Sequence, residues 1–595
     1  MLDYYQRPLG LLNLQYLESG SQSKFPHEIR FRFWQFVEPS DYDSWEGRGL
    51  IDAYLHSVES ELKTIIGKYS ICYWLHIYRR LYPGTIGTDN APQTIGLTRA
   101  VFEAAIQKYA KAKRCNRIGL SDEADIQEVF NGLLMAPDFA LEREYLQKAP
   151  SQLILTDFST KELKELYDTE KLAYEIWRSG ATLRSMAKGA SFFVEESDTR
   201  FGDDRSEELD QLLKIYDNRD RRFTATRIGA QFDGHNSANS KEGYIFLPIY
   251  NLTGITTDKL RNFFLNFKID LKKSIQTNFI WIPINLRSFR NIHLPLADAF
   301  QQKYGVELDA VLAVVSCLNA MVVYLWLDDS PGHMIRHWQR AYDAPSHRQD
   351  IVGTIIRFRS SGCRILGISE DQITKEKIES AIDFWKLPDS REKDIDLVYS
   401  GPHYMFLPFE DYLFVDYAWI LRRLFDLFHG ISIPDQNFKG LALETAMQST
   451  KSILPSGPCK SIVGEKRQVD FACEVNGCLI IAECKAVSRS IGFDRGDPKA
   501  IQYRAERVVN KSLSEADEKA NWLAKNPKGS NYDITHYQKI LPVGISPFVE
   551  FIPSFETKYW INNDLPRVLT PDEFFELIAN HESIRSASNC INLKQ

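Results

Sequence analysis

The sequence predicts an α+β multidomain protein, and three observations support this fold class. The chain has 595 residues, which at about 150 residues per domain is enough for three or four hydrophobic cores. Its first third repeats apolar residues at helical spacing, whereas strand-like segments become common only further along. Its composition, 44% hydrophobic and 25% charged, is that of an ordinary globular protein. We predict a mainly helical domain over 1–180, an α+β sensor or assembly domain over 181–430, and a final α/β domain over 431–595.

Charge, cysteine content and apolar runs narrow the class of protein. The net charge of -7 argues against non-selective coating of nucleic acid, so a nucleic-acid site must be a local basic patch. Nine scattered cysteines and a start without a secretory signal are typical of a cytoplasmic protein with reduced thiols. The apolar run 310–327 contains Ser316 and Asn319 and lies between Asp309 and Asp328. We predict that it is a buried core helix, with no membrane partner.

The elements of the first 300 residues are predicted from periodicity and from start and stop residues. Alternation in Glu28–Val37 predicts a strand, whose Arg30 and Arg32 either stack on nucleobases or lie on a half-buried edge. Apolar residues at helical spacing from Leu50 predict a helix that stops at Gly67. Further helices are predicted over 71–81, 98–113, 125–134, 159–177 and 257–273, and strands over 244–250 and 279–283.

Other catalytic chemistries lack their sequence signatures. His333 and His337 stand four residues apart, as zinc ligands on a helix do, but the glutamate of a zinc-protease motif is missing between them. The sequence contains no phosphate-binding P-loop, no dinucleotide-binding glycine motif after a strand and no serine-esterase elbow. Nucleotide hydrolysis, esterase chemistry and a zinc site are therefore not supported.

A β-hairpin near the C-terminus carries the clearest functional pattern. Gln468–Ala486 reads as two strands joined by Asn476 and Gly477, because this dipeptide tolerates the positive φ angles of a type I′ turn. Counting back from the turn places Asp470 opposite Glu483. Directly opposed side chains leave the same face of a sheet with Cβ atoms about 5 Å apart. The sequence therefore predicts a pair of carboxylates on one face of an otherwise apolar hairpin.

Lys485 joins this pair, because it follows Glu483 by two residues and points to the same face. Burying charged groups is unfavourable unless they are paired or bind a metal. Two carboxylates suit Mg²⁺, or Mn²⁺, and a neighbouring lysine can orient an attacking water or neutralise developing charge. The alternative is a surface salt bridge of Lys485 with Glu483 or Asp470.

The elements around the hairpin resemble a known nuclease family. A predicted helix with Glu444 precedes the hairpin, and a long helix, a strand and a last helix follow it, at 438–448, 498–525, 540–546 and from 570. This order, with Asp470 and the Glu483-x-Lys485 triplet, resembles the PD-(D/E)xK nuclease superfamily, which has the restriction-endonuclease-like fold. The resemblance covers about residues 436 to 580.

The resemblance implies a role for each matching residue. Asp470 and Glu483 would bind Mg²⁺ together with the backbone carbonyl of Cys484. Lys485 would position the water, and Glu444 would orient a ligand or join the metal shell. Two departures stand out, since Val469 replaces the proline of the motif and the next helix lacks the Q-x-x-x-Y spacing of the RecB-like branch.

Basic residues near the hairpin are candidates for phosphate contacts. The four candidates are Lys466, Arg467, Arg489 and Arg504. We therefore expect a Mg²⁺-dependent DNA endonuclease, acting as a restriction or anti-phage defence effector regulated by its N-terminal region. A homodimer or higher oligomer and a defence-system partner protein are expected partners. The alternatives are an RNase and a non-catalytic nucleic-acid-binding or scaffold protein with a structural nuclease fold.

Overall fold

The computed structural model describes residues 25–79, 92–112, 160–195, 201–229, 243–250, 279–327, 341–428, 431, 452–455, 457–485, 487, 489–579, 584, 587 and 589–593. These residues form a mixed α and β structure whose strands belong to several small sheets, which confirms the α+β class. The domain bounds at 180 and 430 stay a prediction. The expected helices at 125–134 and 257–273, and the pair His333 and His337, lie outside the described residues.

The N-terminal part combines long helices with a small antiparallel sheet. Its strands are β1 (Ser40–Tyr42), β2 (Ser191–Val194) and β3 (Phe201–Asp204), in the order β1-β2-β3. The helix predicted to stop at Gly67 is confirmed, because Gly67 caps its C-terminal end. The helices are α1 (Phe25–Trp34), α2 (Ser44–Ile66), α3 (Ile71–Tyr78), α4 (Pro92–Tyr109), α5 (Thr160–Met186) and α6 (Glu207–Gly229).

The strand predicted over Glu28–Val37 is wrong, because most of this segment belongs to helix α1. Alternation would bury Phe31, but half of the Phe31 residue is exposed. Ile29 is buried, and Phe33 packs against the same core one turn later, which is helical spacing. The Arg30 guanidinium donates to Glu175, with 2.8 Å between Nε and Oε2, so this arginine is committed to an internal ion pair.

The middle of the chain contains the two predicted strands and a deeply buried helix. The strands β4 (Tyr244–Tyr250) and β5 (Phe279–Asn285) pair antiparallel, and β6 (Tyr342–His347), β7 (Phe406–Phe409) and β8 (Tyr412–Asp416) form a sheet in the order β6-β8-β7. Short 3-10 turns lie at Leu294–Leu296 and Glu370–Gln372. The helices are α7 (Leu286–His293), α8 (Ala297–Tyr304), α9 (Leu308–Leu327), α10 (Arg348–Arg357), α11 (Arg359–Leu366), α12 (Lys375–Trp385), α13 (Arg391–Asp394) and α14 (Ile420–Asp426).

Helix α9 contains the apolar run that the sequence predicted to be a core helix, and this prediction is confirmed. Its residues from Ala310 to Leu318 are all buried, and most of them lie in a hydrophobic core shared with α11, α12 and α14. Within the described ranges, no single helix is long and apolar enough to cross a membrane. The helices Ala297–Tyr304 and Leu308–Tyr324 reach the length and apolar composition of a membrane span only when taken together, and they meet at an angle of 90°.

The C-terminal part is built on a five-stranded mixed sheet. Its strands are β11 (Phe471–Val475), β12 (Cys478–Cys484), β13 (Lys539–Ile545), β14 (Val568–Leu569) and β15 (Ile591–Asn592), and β9 (Cys459–Lys460) and β10 (Lys466–Arg467) form a separate pair. β12 pairs antiparallel with β11 and parallel with β13. The helices are α15 (Ile491–Asp494), α16 (Pro498–Arg504), α17 (Lys511–Lys525) and α18 (Pro571–Ala579), and a π-helix, Ala505–Asn510, joins α16 to α17.

Two helices cover the two faces of this sheet. Leu479 and Ile481 of β12 face α17, where Leu523 packs against the same core. Ile480 and Ala482, the alternate residues of the strand, share a core with Phe574 of α18 on the opposite face. A capping box begins α18, because Thr570 and Glu573 exchange backbone-to-side-chain hydrogen bonds.

A further core joins the C-terminal sheet to the preceding region, and we call it the junction core. Arg219 of α6 is buried there and donates from Nε and Nη2 to both carboxylate oxygens of Glu573, at 2.8 and 2.9 Å. Its Nη1 and Nη2 also donate to the carbonyls of Glu550 and Val568, at 3.1 and 3.0 Å. The junction core consists of Ala190, Leu209, Leu212, Leu213 and Tyr216 with Phe493, Ile501, Val509, Leu513, Val549, Phe551, Ile552, Tyr559, Trp560 and Val568.

Candidate active site

The turn of the hairpin has the conformation that the sequence predicts. Asn476 and Gly477 both have positive φ angles, 50° and 76°, as a type I′ turn requires. The register follows from this turn, with Val475 opposite Cys478 and Phe471 opposite Ala482. Continued by one residue beyond β11, the same register brings Asp470 opposite Glu483.

The two carboxylates lie at the end of the hairpin far from the turn. Asp470 directly precedes β11, and its Oδ2 accepts a 2.8 Å hydrogen bond from the backbone N–H of Cys484. Asp470 and Glu483 are only 9% and 4% exposed. Leu479, Ile481 and Glu483 are spaced two residues apart along β12, so their side chains share one face of the strand. Glu483 therefore points to the face that α17 covers. The side chains therefore meet between the sheet and a helix, not on an open surface.

Lys485 completes the predicted trio. Its Nζ donates to Oε1 of Glu483 at 2.9 Å and also contacts Glu515 of α17. Its side chain is 18% exposed and that of Glu483 is 6% exposed. The salt bridge weighed as an alternative is thus present, but it belongs to a largely buried cluster of charges.

Helix α17 adds two charged residues that the sequence interpretation did not include. Lys519 contacts Oε2 of Glu483, and its Nζ lies 3.9 Å from Oδ1 of Asp470. Glu515 lies one turn before Lys519 and binds Lys485. The candidate site therefore consists of three carboxylates and two ammonium groups. We define the charged cluster as Asp470, Glu483, Lys485, Glu515 and Lys519.

Small residues let α17 approach the sheet closely. Ser512, Ala516 and Ala520 recur every four residues along the helix and are buried. Gly544 of β13 pairs with Glu483, and a Cβ at this glycine would lie 2.5 Å from Oγ of Ser512. A larger side chain at position 544 would push the helix away, so this glycine keeps Glu515 and Lys519 within reach of the hairpin.

The crowding of charges changes their proton affinities. Burial, the hydrogen bond to Glu515 and the charge of Asp470 together raise the pKa of Glu483 to about 7, against the opposing effect of Lys519. For Glu515, burial acts to raise the pKa, but hydrogen bonds with Glu483 and Lys485 outweigh burial and lower it. For Lys485, burial acts to lower the pKa, but its hydrogen bonds and charge interactions with Glu515 and Glu483 raise it. Of Glu483 and Glu515, Glu483 is therefore the carboxyl group that holds a proton more readily near neutral pH.

The donor set fits a hard divalent cation. Asp470 and Glu483 converge on one ammonium group, that of Lys519, so a cation already lies between them. In the described part of the chain, no group of three or more His, Cys, Asp or Glu side chains is arranged to hold a metal ion. A metal ion bound here would take its other ligands from the backbone, from water or from substrate, as Mg²⁺ usually does. Cys484, the expected backbone ligand, ends β12 beside both carboxylates.

The predicted helix with Glu444 lies outside the described residues. Its expected role in orienting a ligand or joining the metal shell stays a prediction.

The four candidate phosphate contacts lie in different environments. Lys466 and Arg467 are exposed on β10, and Nε of Arg467 lies 3.3 Å from Oε1 of Glu518. Arg504 is 3% exposed, and its Nε donates to Oε2 of Glu550 at 2.9 Å. This buried ion pair holds the Arg504 guanidinium inside the molecule, away from a surface that nucleic acid could reach.

Arg489 belongs to a segment after the hairpin that the preceding region holds in place. Its Nη2 donates to the hydroxyl of Tyr216 at 2.9 Å, and its Nε lies 2.9 Å from Oδ1 of Asp494. Further along, Arg48 of α2 donates to the carbonyl of Gly496 at 2.5 Å. Arg489 and Gly496 are thus both held by residues from the first half of the protein.

Glu515 and Lys519 carry a weak sequence signal. A glutamate four residues before a lysine is typical of an exposed helix face, where the two side chains pair with each other. Here each side chain binds the hairpin instead. The regular spacing of Ser512, Ala516 and Ala520 indicates close packing of α17 and could have pointed to the neighbouring charges.

Comparisons of the chain with protein-family models, curated proteins and solved structures found no match. Its functional interpretation therefore depends on the chemistry of the charged cluster.

Proposed function

We propose that this chain is a Mg²⁺-dependent endonuclease that hydrolyses phosphodiester bonds of DNA at Asp470, Glu483 and Lys485. The observation that carries the proposal is the meeting of these three side chains beneath α17, with Lys485 bound to Glu483 at 2.9 Å. Apolar residues would pack this position without the desolvation cost of charged groups, so a structural role explains the cluster poorly. The order of hairpin, long helix, parallel strand and last helix supports the resemblance to PD-(D/E)xK nucleases.

Each side chain has a chemical task in this proposal. Asp470 and Glu483 would hold the metal ion, with Glu515 close by. When bound, the ion would polarise a phosphate oxygen and lower the pKa of a water molecule. Lys485 is oriented by Glu483 and Glu515, which take two of its three N–H donors. Its third donor suits a water molecule or a phosphate oxygen, where it would stabilise developing negative charge.

The region before residue 431 is proposed to regulate this site, in restriction or anti-phage defence. Contacts across the junction core support such coupling, because Arg219 binds Glu573 and Arg48 binds the backbone of Gly496. Cutting both strands of a duplex with one candidate site per chain favours a homodimer or higher oligomer, and a defence-system protein is a candidate partner.

Cleavage of supercoiled plasmid with Mg²⁺, and with EDTA in its place, tests the proposal. We expect Asp470→Asn, Glu483→Gln and Lys485→Met each to lower the cleavage rate by about 100-fold or more, since a single transition-state contact is worth about 10²–10³ in rate. Two matched controls, Asp564→Asn and Lys558→Met, remove a carboxylate and an ammonium from exposed positions of the same sheet unit. Both should cleave at the wild-type rate.

Wild-type cleavage by both Asp470→Asn and Lys485→Met would refute the assignment. Matched DNA and RNA strands assayed in parallel distinguish a DNase from an RNase. Salt-dependent binding of either nucleic acid without turnover in any divalent metal would instead support the non-catalytic alternative.

A further inference from the structure

The ammonium group of Lys519 lies close to both candidate metal ligands, Asp470 and Glu483. Its ammonium contacts Oε2 of Glu483 and lies 3.9 Å from Oδ1 of Asp470. The other oxygen of each carboxylate already has a donor. Oδ2 of Asp470 accepts from the Cys484 N–H, and Oε1 of Glu483 accepts from Lys485. Lys519 therefore faces the two oxygens that would point at a cation held between the carboxylates.

We propose that Lys519 is a resident counter-cation, which a divalent metal ion must displace before it can bind Asp470 and Glu483. This inference rests on the proposed function and deepens it, because competition from Lys519 would set the metal concentration at which the site fills. The ammonium stabilises the buried carboxylates while no metal is bound. Metal binding then exchanges one cation for another and leaves the negative charges compensated.

The ammonium group of Lys519 can move away from Asp470 and Glu483. Its ammonium is a compact charge on a flexible four-carbon stem, and its side chain is 17% exposed. Glu515, one helical turn earlier, is 32% exposed and already accepts from Lys485. A Lys519 ammonium that leaves the carboxylate pair can thus stay near a negative charge and reach water. The ammonium group of Lys485 is less free to move, because it donates to both Glu483 and Glu515.

Removing a catalytic or metal-binding group weakens a site, whereas removing a competing cation strengthens metal binding. Losing a hydrogen bond to a charged group changes an equilibrium constant by about tenfold or more. We therefore expect Lys519→Met to bind a divalent ion at least about tenfold more tightly than the wild type.

Calorimetric titration of the full chain with Mn²⁺ alone tests this expectation without any activity measurement. Lys519→Arg keeps the cation and should bind Mn²⁺ no more tightly than the wild type. Lys525→Met removes an exposed lysine from the same helix and should leave the affinity unchanged. Asp470→Asn removes one proposed metal ligand, so its titration measures how much Mn²⁺ binds elsewhere on the chain. Circular dichroism checks folding, and a Lys519→Met protein that folds only with Mn²⁺ also supports the exchange of cations.

Two results would count against the inference, and they are distinguishable. If the wild type binds more Mn²⁺ than Asp470→Asn does, equal or weaker Mn²⁺ binding by Lys519→Met than by the wild type would overturn the role of Lys519 alone. Wild-type and Lys519→Met proteins that both bind no more Mn²⁺ than Asp470→Asn would overturn the metal site itself, and the proposed function with it.

Discussion

The buried ion pair between Arg219 and Glu573 should be essential to the stability of the C-terminal unit. The Arg219→Met substitution keeps much of the apolar stem of the side chain but removes four hydrogen bonds, two to Glu573 and two to backbone carbonyls. It takes the Arg219 guanidinium away from the Glu573 carboxylate, a residue that is only 5% exposed. The hydrogen bond from the Thr570 N–H stays in place but compensates only part of the charge.

Breaking one side of a buried ion pair costs about 3–5 kcal/mol. At 1.4 kcal/mol for each factor of ten, the opening equilibrium of α18 and its surroundings should rise by about 10²-fold to 4 × 10³-fold. Arg205, whose side chain is 36% exposed, gives a matched control, because it pairs at the surface with Asp203 and, at 3.7 Å, with Asp210. Arg205→Met should change stability by less than about 1 kcal/mol, because exposed ion pairs contribute little.

Amide hydrogen exchange, followed by mass spectrometry on peptides covering Pro571–Ala579, measures this opening without assuming that the whole chain unfolds at once. We expect a large acceleration for Arg219→Met and little change for Arg205→Met. Adding Glu573→Gln to Arg219→Met should recover part of the loss, since the side chain that lost the Arg219 guanidinium is then neutral. If the amides of α18 in Arg219→Met exchange at a rate within threefold of the wild-type rate, the proposed importance of the ion pair is refuted.

Two further predictions concern the hairpin. Because the folded-state pKa of Glu483, about 7, lies above its ordinary 4.5, this group contributes stability that is fully present below pH 4.5 and is lost as the pH rises to 7. Glu483→Gln should remove that loss in urea denaturation of metal-free protein, and an unchanged pH dependence would contradict the assignment. Gly477→Ala places a Cβ at φ 76° with open space around it, so backbone strain should cost about 1 kcal/mol. Gly457→Ala, also in open space but without a positive φ, should lose no stability, and equal urea midpoints for the two variants would be inconsistent with the turn.

The hairpin could be predicted from the sequence because the information that defines it is local. A two-residue turn fixes the register, and the register fixes which side chains share a face. Asn476 and Gly477 have the required positive φ angles, and Phe471 lies opposite Ala482 as counted. Placing Asp470 beside Glu483 needed no knowledge of the rest of the fold.

The remainder of the candidate site depends on packing between distant segments. Lys519 reaches Glu483 across 36 residues of sequence, and Lys485 meets Glu515 across 30. Arg504 was a candidate for phosphate contact because its charge is visible in the sequence, whereas its partner Glu550 lies 46 residues later. Charge alone does not reveal burial, so a sequence cannot separate a phosphate contact from an internal ion pair.

Helix α1 shows a second kind of ambiguity. In Glu28–Val37 the apolar residues fit both a period of two and a stripe at every fourth position. Local periodicity cannot choose between them. The choice is made by the core, which accepts Ile29 and Phe33 and leaves Phe31 in solvent.

The close approach of α17 to Gly544 also has a meaning for recognising relatives. A chain that shares this site needs more than an acid-x-lysine strand, because the helix must carry small residues where it touches the sheet and charged residues beside them. In this sequence that requirement reads S-x-x-E-A-x-x-K-A over residues 512–520, followed by a glycine at position 544. The combination of this helix pattern with Asp470 and Glu483-x-Lys485 is a signature that can be searched for directly. Chains that keep the strand motif but carry a bulky residue in place of Gly544 should have lost the contribution of the helix.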